Sequence, residues 1–205
     1  MTAQAGVLRR AQRTFERATR SSFNYRVVPI VDVAGAVLFL AAGLRAPAAP
    51  GAKAFALVAG LAAWPPIEYG LHRWLGHGPP TVARRAHAMH HADDEALVAA
   101  PMFVVLGHIL AIWAVLTIVI PAALASLFVG GVYVGYNYYT LVHHLMHHCE
   151  ALIVQLGWRR VLQRHRLHHA NHDVNFGVTS ALCDRLFGTF DAGAPRSSRA
   201  PAGRR

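Results

Sequence analysis

Fourteen histidines stand in this chain, and all but one fall into short clusters whose spacings repeat. The densest stretch, Tyr139 to His172, holds eight of them: His143, His144, His147, His148, His165, His168, His169 and His172. On a helix of about 3.6 residues per turn, positions i, i+3, i+4 and i+7 share one face, so His165, His168, His169 and His172 form a single imidazole stripe. His143 with His147, and His144 with His148, are pairs one turn apart. His87, His90 and His91 repeat the i, i+3, i+4 pattern. His72 and His77 sit about 140° apart on an ideal helix, so an unwound turn near Gly76 or Gly78 is expected to bring them together. Imidazoles this crowded cannot all be charged in a low-dielectric site, so either their pKa values fall or a cation sits among them. A cation is the stronger reading, because neutral imidazole is the commonest side-chain metal ligand. His108 lies apart, inside an apolar run, where a hydrogen bond between helices is expected rather than ligation.

The second constraint is hydrophobicity combined with charge. A chain that is 54% hydrophobic yet carries a formal charge of +10 suits a membrane protein with basic edges better than a soluble core. Four runs approach the roughly 20 apolar residues that a span requires, at 27–44, 54–69, 101–120 and 122–142. Pro65 and Pro66 are expected to kink or end the second. The fold expected is therefore all-α: an integral membrane four-helix domain at 27–191 with a histidine-rich cap. A basic amphipathic or disordered arm precedes it at 1–26, and a disordered basic tail follows at 192–205.

If the four helices alternate, 18 of the 20 basic residues lie on one side and only Arg45 and Lys53 on the other. Excess Lys and Arg stay cytoplasmic, which puts both termini and every clustered histidine in the cytoplasm. Cys149 and Cys183 share that side, so no disulfide is expected. The basic runs flank spans and no nucleic-acid module accompanies them, which excludes a nucleic-acid partner. Asp32, inside the first span, is expected near the helix end, snorkelling or bonded to a neighbour. The acidic run Asp93-Asp94-Glu95 reads as a solvated turn in preference to a support for imidazoles.

Four ordered boxes, His72-x-x-x-x-His77, His87-x-x-His90-His91, His143-x-x-x-His147 and His165-x-x-His168-His169, resemble those of the fatty acid hydroxylase superfamily, the sterol desaturase and fatty acid 2-hydroxylase type of membrane diiron oxygenases. Three further segments look most like the 2-hydroxylase branch: Glu68-Tyr69-x-Leu71-His72-Arg73, Phe176-Gly177-Val178-Thr179-Ser180 and Asp184-Arg185-Leu186-Phe187-Gly188-Thr189. Two residues depart from the common pattern: Cys149 stands where glycine often follows the third box, and Cys183 where a large aromatic often precedes the aspartate.

The resemblance implies two iron ions, with zinc able to replace them in a purified protein. It implies as their ligands His72, His77, His87, His90, His91, His143, His147, His165, His168 and His169. His144, His148 and His172 are further candidates for that shell or the next. The function implied is an O2-dependent hydroxylase acting on a lipid C–H bond, in the first place on a fatty acyl chain. The alternatives are a desaturase, or a sterol, hopanoid or carotenoid hydroxylase. From another class comes a non-catalytic metal-binding membrane protein, which would place its ionisable ligands along the membrane interior rather than at one face. No flavin, haem or iron–sulfur motif is visible, so electrons are expected from a separate donor of cytochrome b5 or ferredoxin type. The alanine-rich, arginine-dominated composition points to a bacterial inner membrane.

Overall fold

The structure, a computed structural model, describes residues 3–193, all helix, turn and coil with no strand among them. Ten helical elements follow one another: α1 Ala3–Thr19, α2 Ser22–Arg45, α3 Pro50–Gly70, a π-helical turn Leu71–Gly76, α4 Val82–Ala92, α5 Met102–Val119, α6 Ala122–His148, α7 Glu150–Gln155, α8 Arg159–Ala170 and α9 Leu182–Leu186. Local chemistry sets several starts. The Ser21 hydroxyl accepts from Asn24 N at the head of α2, and the Thr81 hydroxyl accepts from Arg84 N at the head of α4. Pro50 opens α3, while Pro101 and Pro121 immediately precede α5 and α6, where a missing N–H costs nothing. The arm expected at 1–26 is helical over Ala3–Thr19, and most of the tail expected at 192–205 lies outside the described residues.

Among the described residues three elements are long and apolar enough to cross a membrane: Ser22–Arg45, Pro50–Gly76 and Met102–Val119. The run expected as the fourth span forms α6, which is not among these three because of its tyrosines, glycines and Asn137. The reason is packing: α6 is the central helix, with Ala125, Leu127, Val129 and Tyr133 at most 1% exposed beneath its neighbours. The outward faces of α2, α3 and α5 instead expose Ile30, Leu38, Phe55, Val58, Val115 and Ile118, the surface that lipid would cover.

The backbones of α3 and α6 approach closely because glycines line their seam. A Cβ at Gly60 would lie 2.1 Å from Phe128 O, one at Gly131 2.6 Å from Leu57 O, and one at Gly135 2.4 Å from Trp64 Cβ. Small residues at such crossings are the usual means of helix association where lipid supplies no hydrophobic drive.

Four details differ from expectation. Pro65 and Pro66 lie inside α3 without ending it, and the helix runs on into the π-helical turn. That turn, closed by His77 N donating to His72 O, stacks residues five apart, so His72 and His77 meet by widening of the helix rather than by its unwinding. Asp32 is buried at 1% exposure in the body of α2, where its Oδ1 accepts from the Tyr133 hydroxyl at 2.6 Å. It therefore bonds to a neighbour but does not snorkel. His108 is exposed and bonds the Val104 carbonyl of its own helix, not another helix.

Gly131→Ala is expected to destabilise the protein by about 1–3 kcal/mol, since its methyl group meets backbone rather than a movable side chain. A lowered unfolding midpoint in detergent is the expected result, and an unchanged midpoint would contradict the close α3–α6 contact.

Candidate metal centre

Ten histidines converge where α4, α6, α8 and the end of α3 meet, and they divide into two groups of five. His72, His77, His87, His91 and His168 form the first; His90, His143, His147, His165 and His169 form the second. Within each group the facing ring nitrogens lie within 4.8 Å of one another. The division follows helix geometry. On α4 the i, i+4 pair His87 and His91 enters the first group, while His90 turns to the second. On α8 the pair His165 and His169 enters the second group, while His168 turns to the first. The two helices thus tie the groups together, and α6 adds His143 and His147 to the second.

In the first group His87 Nε2 has three other imidazole nitrogens around it: His72 Nε2 at 3.0 Å, His77 Nε2 at 2.9 Å and His91 Nε2 at 2.9 Å. His168 Nε2 closes the ring, 3.1 Å from His77 Nε2 and 3.2 Å from His91 Nε2. One ring nitrogen carries either a proton or a lone pair and cannot satisfy three partners. A central cation can: ligands at about 2.1 Å from one ion, at right angles, are about 3.0 Å apart. In the second group His147 Nε2 and His165 Nε2 lie 2.7 Å apart. There His90 Nε2, His165 Nδ1 and both nitrogens of His169 are buried without hydrogen-bond partners, as is His91 Nδ1 in the first group. Buried imidazole nitrogens left without partners suit a metal ion, and the donor set fits one in each group.

The opposite edges of two rings are fixed from behind. His72 Nδ1 donates to Phe176 O at 2.5 Å, and His168 Nδ1 donates to Val174 O at 2.8 Å, which leaves each Nε2 lone pair facing the group. Buried carboxylates hold the loop that carries these carbonyls. Glu68 accepts from Val178 N, Thr179 N and Trp64 Nε1 at 2.5, 2.8 and 2.9 Å, and also from the Thr179 hydroxyl. Asp184 accepts from Phe176 N, Gly177 N and the Thr189 hydroxyl, each at 2.8 Å. The three segments that carry the 2-hydroxylase likeness are thus one hydrogen-bonded unit. Sequence reasoning missed the two carbonyls, because a backbone acceptor leaves no residue signature.

The extra candidates separate. His172 borders the first group, with its ring centre 4.4 Å from that of His91 and 5.4 Å from that of His77. His144 and His148 stack on each other at 4.7 Å, away from both groups, and Tyr25 Oη lies 2.7 Å from His144 Nδ1. Asp94, read from sequence as part of a solvated turn, reaches His169 Nδ1 at 2.7 Å. A cavity of about 950 Å³ reaches the centre, touching His90, His143 and His147 of the second group and His87 of the first. Its apolar wall continues past Val28 and Val33 on α2 and Val134 on α6.

Burial holds the imidazoles neutral, and neighbouring imidazoles add to the effect. His77 is pushed down to about 4, His90 to about 3 and His168 to about 3, the last in spite of its bond to the Val174 carbonyl. His87, His91 and His165 move the same way.

A profile described as fatty acid hydroxylase matches residues 57–189. The chain is 29% identical over 140 residues to a dihydroceramide fatty acyl 2-hydroxylase of Arabidopsis thaliana, covering 63% of this chain and 58% of that one. It is 31% identical over 152 residues to a ceramide very long chain fatty acid hydroxylase of Saccharomyces cerevisiae, covering 66% and 38%. The chain thus spans less than two thirds of the length of these relatives. A solved structure of full-length scs7p, with only the hydroxylase domain visible, superposes with a TM-score of 0.70 at 27% identity, over 89% of this chain and 72% of that one.

The depressed values set a pH dependence for the metal-free protein. A histidine that titrates near 6.5 unfolded but near 3–4 folded binds fewer protons in the native state, so its stabilisation is full above about pH 6.5 and is lost as the pH falls toward 4. The thermal midpoint of metal-free protein in detergent is expected to fall between pH 7 and pH 5. A flat profile would contradict the burial of neutral imidazoles.

Proposed function

The chain belongs to the fatty acid hydroxylase family, and from that premise we propose that it is a membrane-bound diiron oxygenase that uses O2 to hydroxylate a fatty acyl chain near its head-group end. The observation that carries this reading is the cavity. Helix α2 descends from Tyr25 at the cap through Val28 to Val33, while α6 descends in the opposite chain direction from His143 to Val134. At 1.5 Å per residue, the nine residues between Val134 and His143 make a mostly apolar passage about 14 Å deep below the histidines, with Asn137 and Thr140 on its wall. An acyl chain lying in it brings a carbon close to its polar end, not its tail, against His90, His143 and His147. That arrangement favours attack at the 2-position and supports the 2-hydroxylase reading over a desaturase acting far along the chain.

The proposed ligands are the ten histidines of the two groups, with an iron ion in each. Iron bound there supplies the redox chemistry with dioxygen that no amino-acid side chain provides. The chain's own residues do the rest. Phe176 O and Val174 O hold His72 and His168 with Nε2 unprotonated toward the ion. Tyr139, its ring stacked 5.5 Å from that of His143, narrows the passage and excludes water from the target carbon. The apolar walls orient the chain.

The proposal extends to the setting. The excess of arginine on one side supports cytoplasmic termini and a cytoplasmic cap, and the composition supports a bacterial inner membrane. Electrons come from a separate donor of cytochrome b5 or ferredoxin type. The membrane domain is assigned to 27–191, with the α2 span beginning a little earlier, at Ser22.

Mass spectrometry of total and hydrolysed lipids from cells expressing the wild type or His169→Ala tests this reading. One added oxygen on an acyl chain, in the wild type alone and lying on the carbon next to the carboxyl, is the expected result. Loss of two hydrogens instead would make the protein a desaturase. An oxygenated lipid that persists in the variant would remove His169 from the site.

A further inference from the structure

We infer that the two ion positions are inequivalent: the group His72, His77, His87, His91 and His168 binds its ion tightly as a preformed cage, and the group His90, His143, His147, His165 and His169, which faces the cavity, holds an exchangeable one. The inference rests on the reading of these ten histidines as ligands.

Three observations separate the groups. The first concerns the cage itself. Five contacts of 2.9–3.2 Å link the Nε2 atoms of the first group in hydrogen-bonding alignment, whereas the second shows one, between His147 and His165. The five Nε2 atoms of the first group already lie at about the spacing that one ion imposes.

The second observation is the support behind the rings. Two rings of the first group donate to backbone carbonyls, and those carbonyls sit on a loop clamped by Glu68 and Asp184, carboxylates 3% and 1% exposed. No ring of the second group has a backbone acceptor among the described residues. Its one nearby carboxylate, Asp94, lies 2.7 Å from His169 Nδ1 but is 58% exposed at the side chain, where water competes for it. A ring whose far nitrogen is fixed keeps its ligating lone pair on target when the ion departs; a ring without such a partner is free to turn away. Loss of an outer partner typically costs 10–100-fold in metal affinity.

The third observation is position. Three members of the second group line the cavity, against His87 alone from the first. The more loosely held ion is thus the one that substrate meets, and the anchored ion sits behind it.

The full chain, purified in detergent, stripped and reloaded with zinc ions to two per chain, is challenged with excess chelator, and the zinc retained is counted over time. The expected course has two phases of equal amplitude, one ion leaving at least about tenfold faster than the other. His165→Gln is expected to load one ion that leaves slowly, and His168→Gln one that leaves fast, each measured on the monodisperse fraction. Asp94→Asn, on an exposed side chain, is expected to speed the fast phase and leave the slow one unchanged. Loss of both wild-type ions in a single phase overturns the inference while leaving the ligand reading intact. So does a slow phase that survives His168→Gln and vanishes in His165→Gln. A zinc content lowered by neither histidine substitution overturns the ligand reading and the inference with it.

Discussion

Everything in this fold is subordinate to bringing ten uncharged imidazoles into one water-poor space. Protonated, they would repel one another; neutral and without a cation, several of their nitrogens are orphaned. The architecture answers both problems. The helices that carry the rings cross at the cap, where α4 and α8 each send a pair one way and a single ring the other, so the two groups cannot be assembled independently. Helix α6 is the common wall, buried for most of its length and held against α3 by glycine contacts, and its last two turns deliver His143 and His147.

Behind the rings lies a second polar layer that a membrane-facing protein can carry only if it is fully paired. Glu68 and Asp184 are buried carboxylates, and each is saturated by donors from the 176–179 loop and its surroundings. An unpaired charge there would cost several kcal/mol. Paired, the two residues act as pins that hold the Phe176 and Val174 carbonyls against His72 and His168. Tyr69 extends the network, since its hydroxyl accepts from Arg73 Nη1 at 2.6 Å and lies 3.1 Å from the Thr189 hydroxyl. The carboxylates shape the metal centre without touching it.

Helical periodicity made much of this legible. The i, i+3, i+4 spacings picked out eight of the ten converging histidines, because α4, α6 and α8 are regular helices over just those stretches, while His72 and His77, five apart, entered through the resemblance of the four boxes. Hydropathy located the long helices, and His108, outside the histidine clusters, lies outside both groups but bonds within its own helix. What stayed hidden depended on tertiary context. Which ring joins which group is decided by how α4 and α8 cross, not by either sequence segment alone. The meeting of His72 with His77 came through a π-helical turn, whereas the five-residue spacing and the glycines predict only an unwound one. Asp32 looked like an end residue because the hydrophobic run began at 27, whereas the polar start of α2, including Asn24, Tyr25 and Arg26, is helical too. The reach of Asp94 toward His169, which the sequence reading ranked below a solvated turn, depends on how α8 is placed against the turn after α4.

The central claim is that each ion position is built from imidazole, five rings to an ion. X-ray absorption at the iron edge of the iron-loaded, purified protein tests it most directly. The claim predicts about two irons per chain and a first shell of light atoms near about 2.1 Å, with outer-shell scattering from roughly five imidazole rings per iron. A shell dominated by carboxylate oxygen or sulfur, or one imidazole ring per iron, would contradict it.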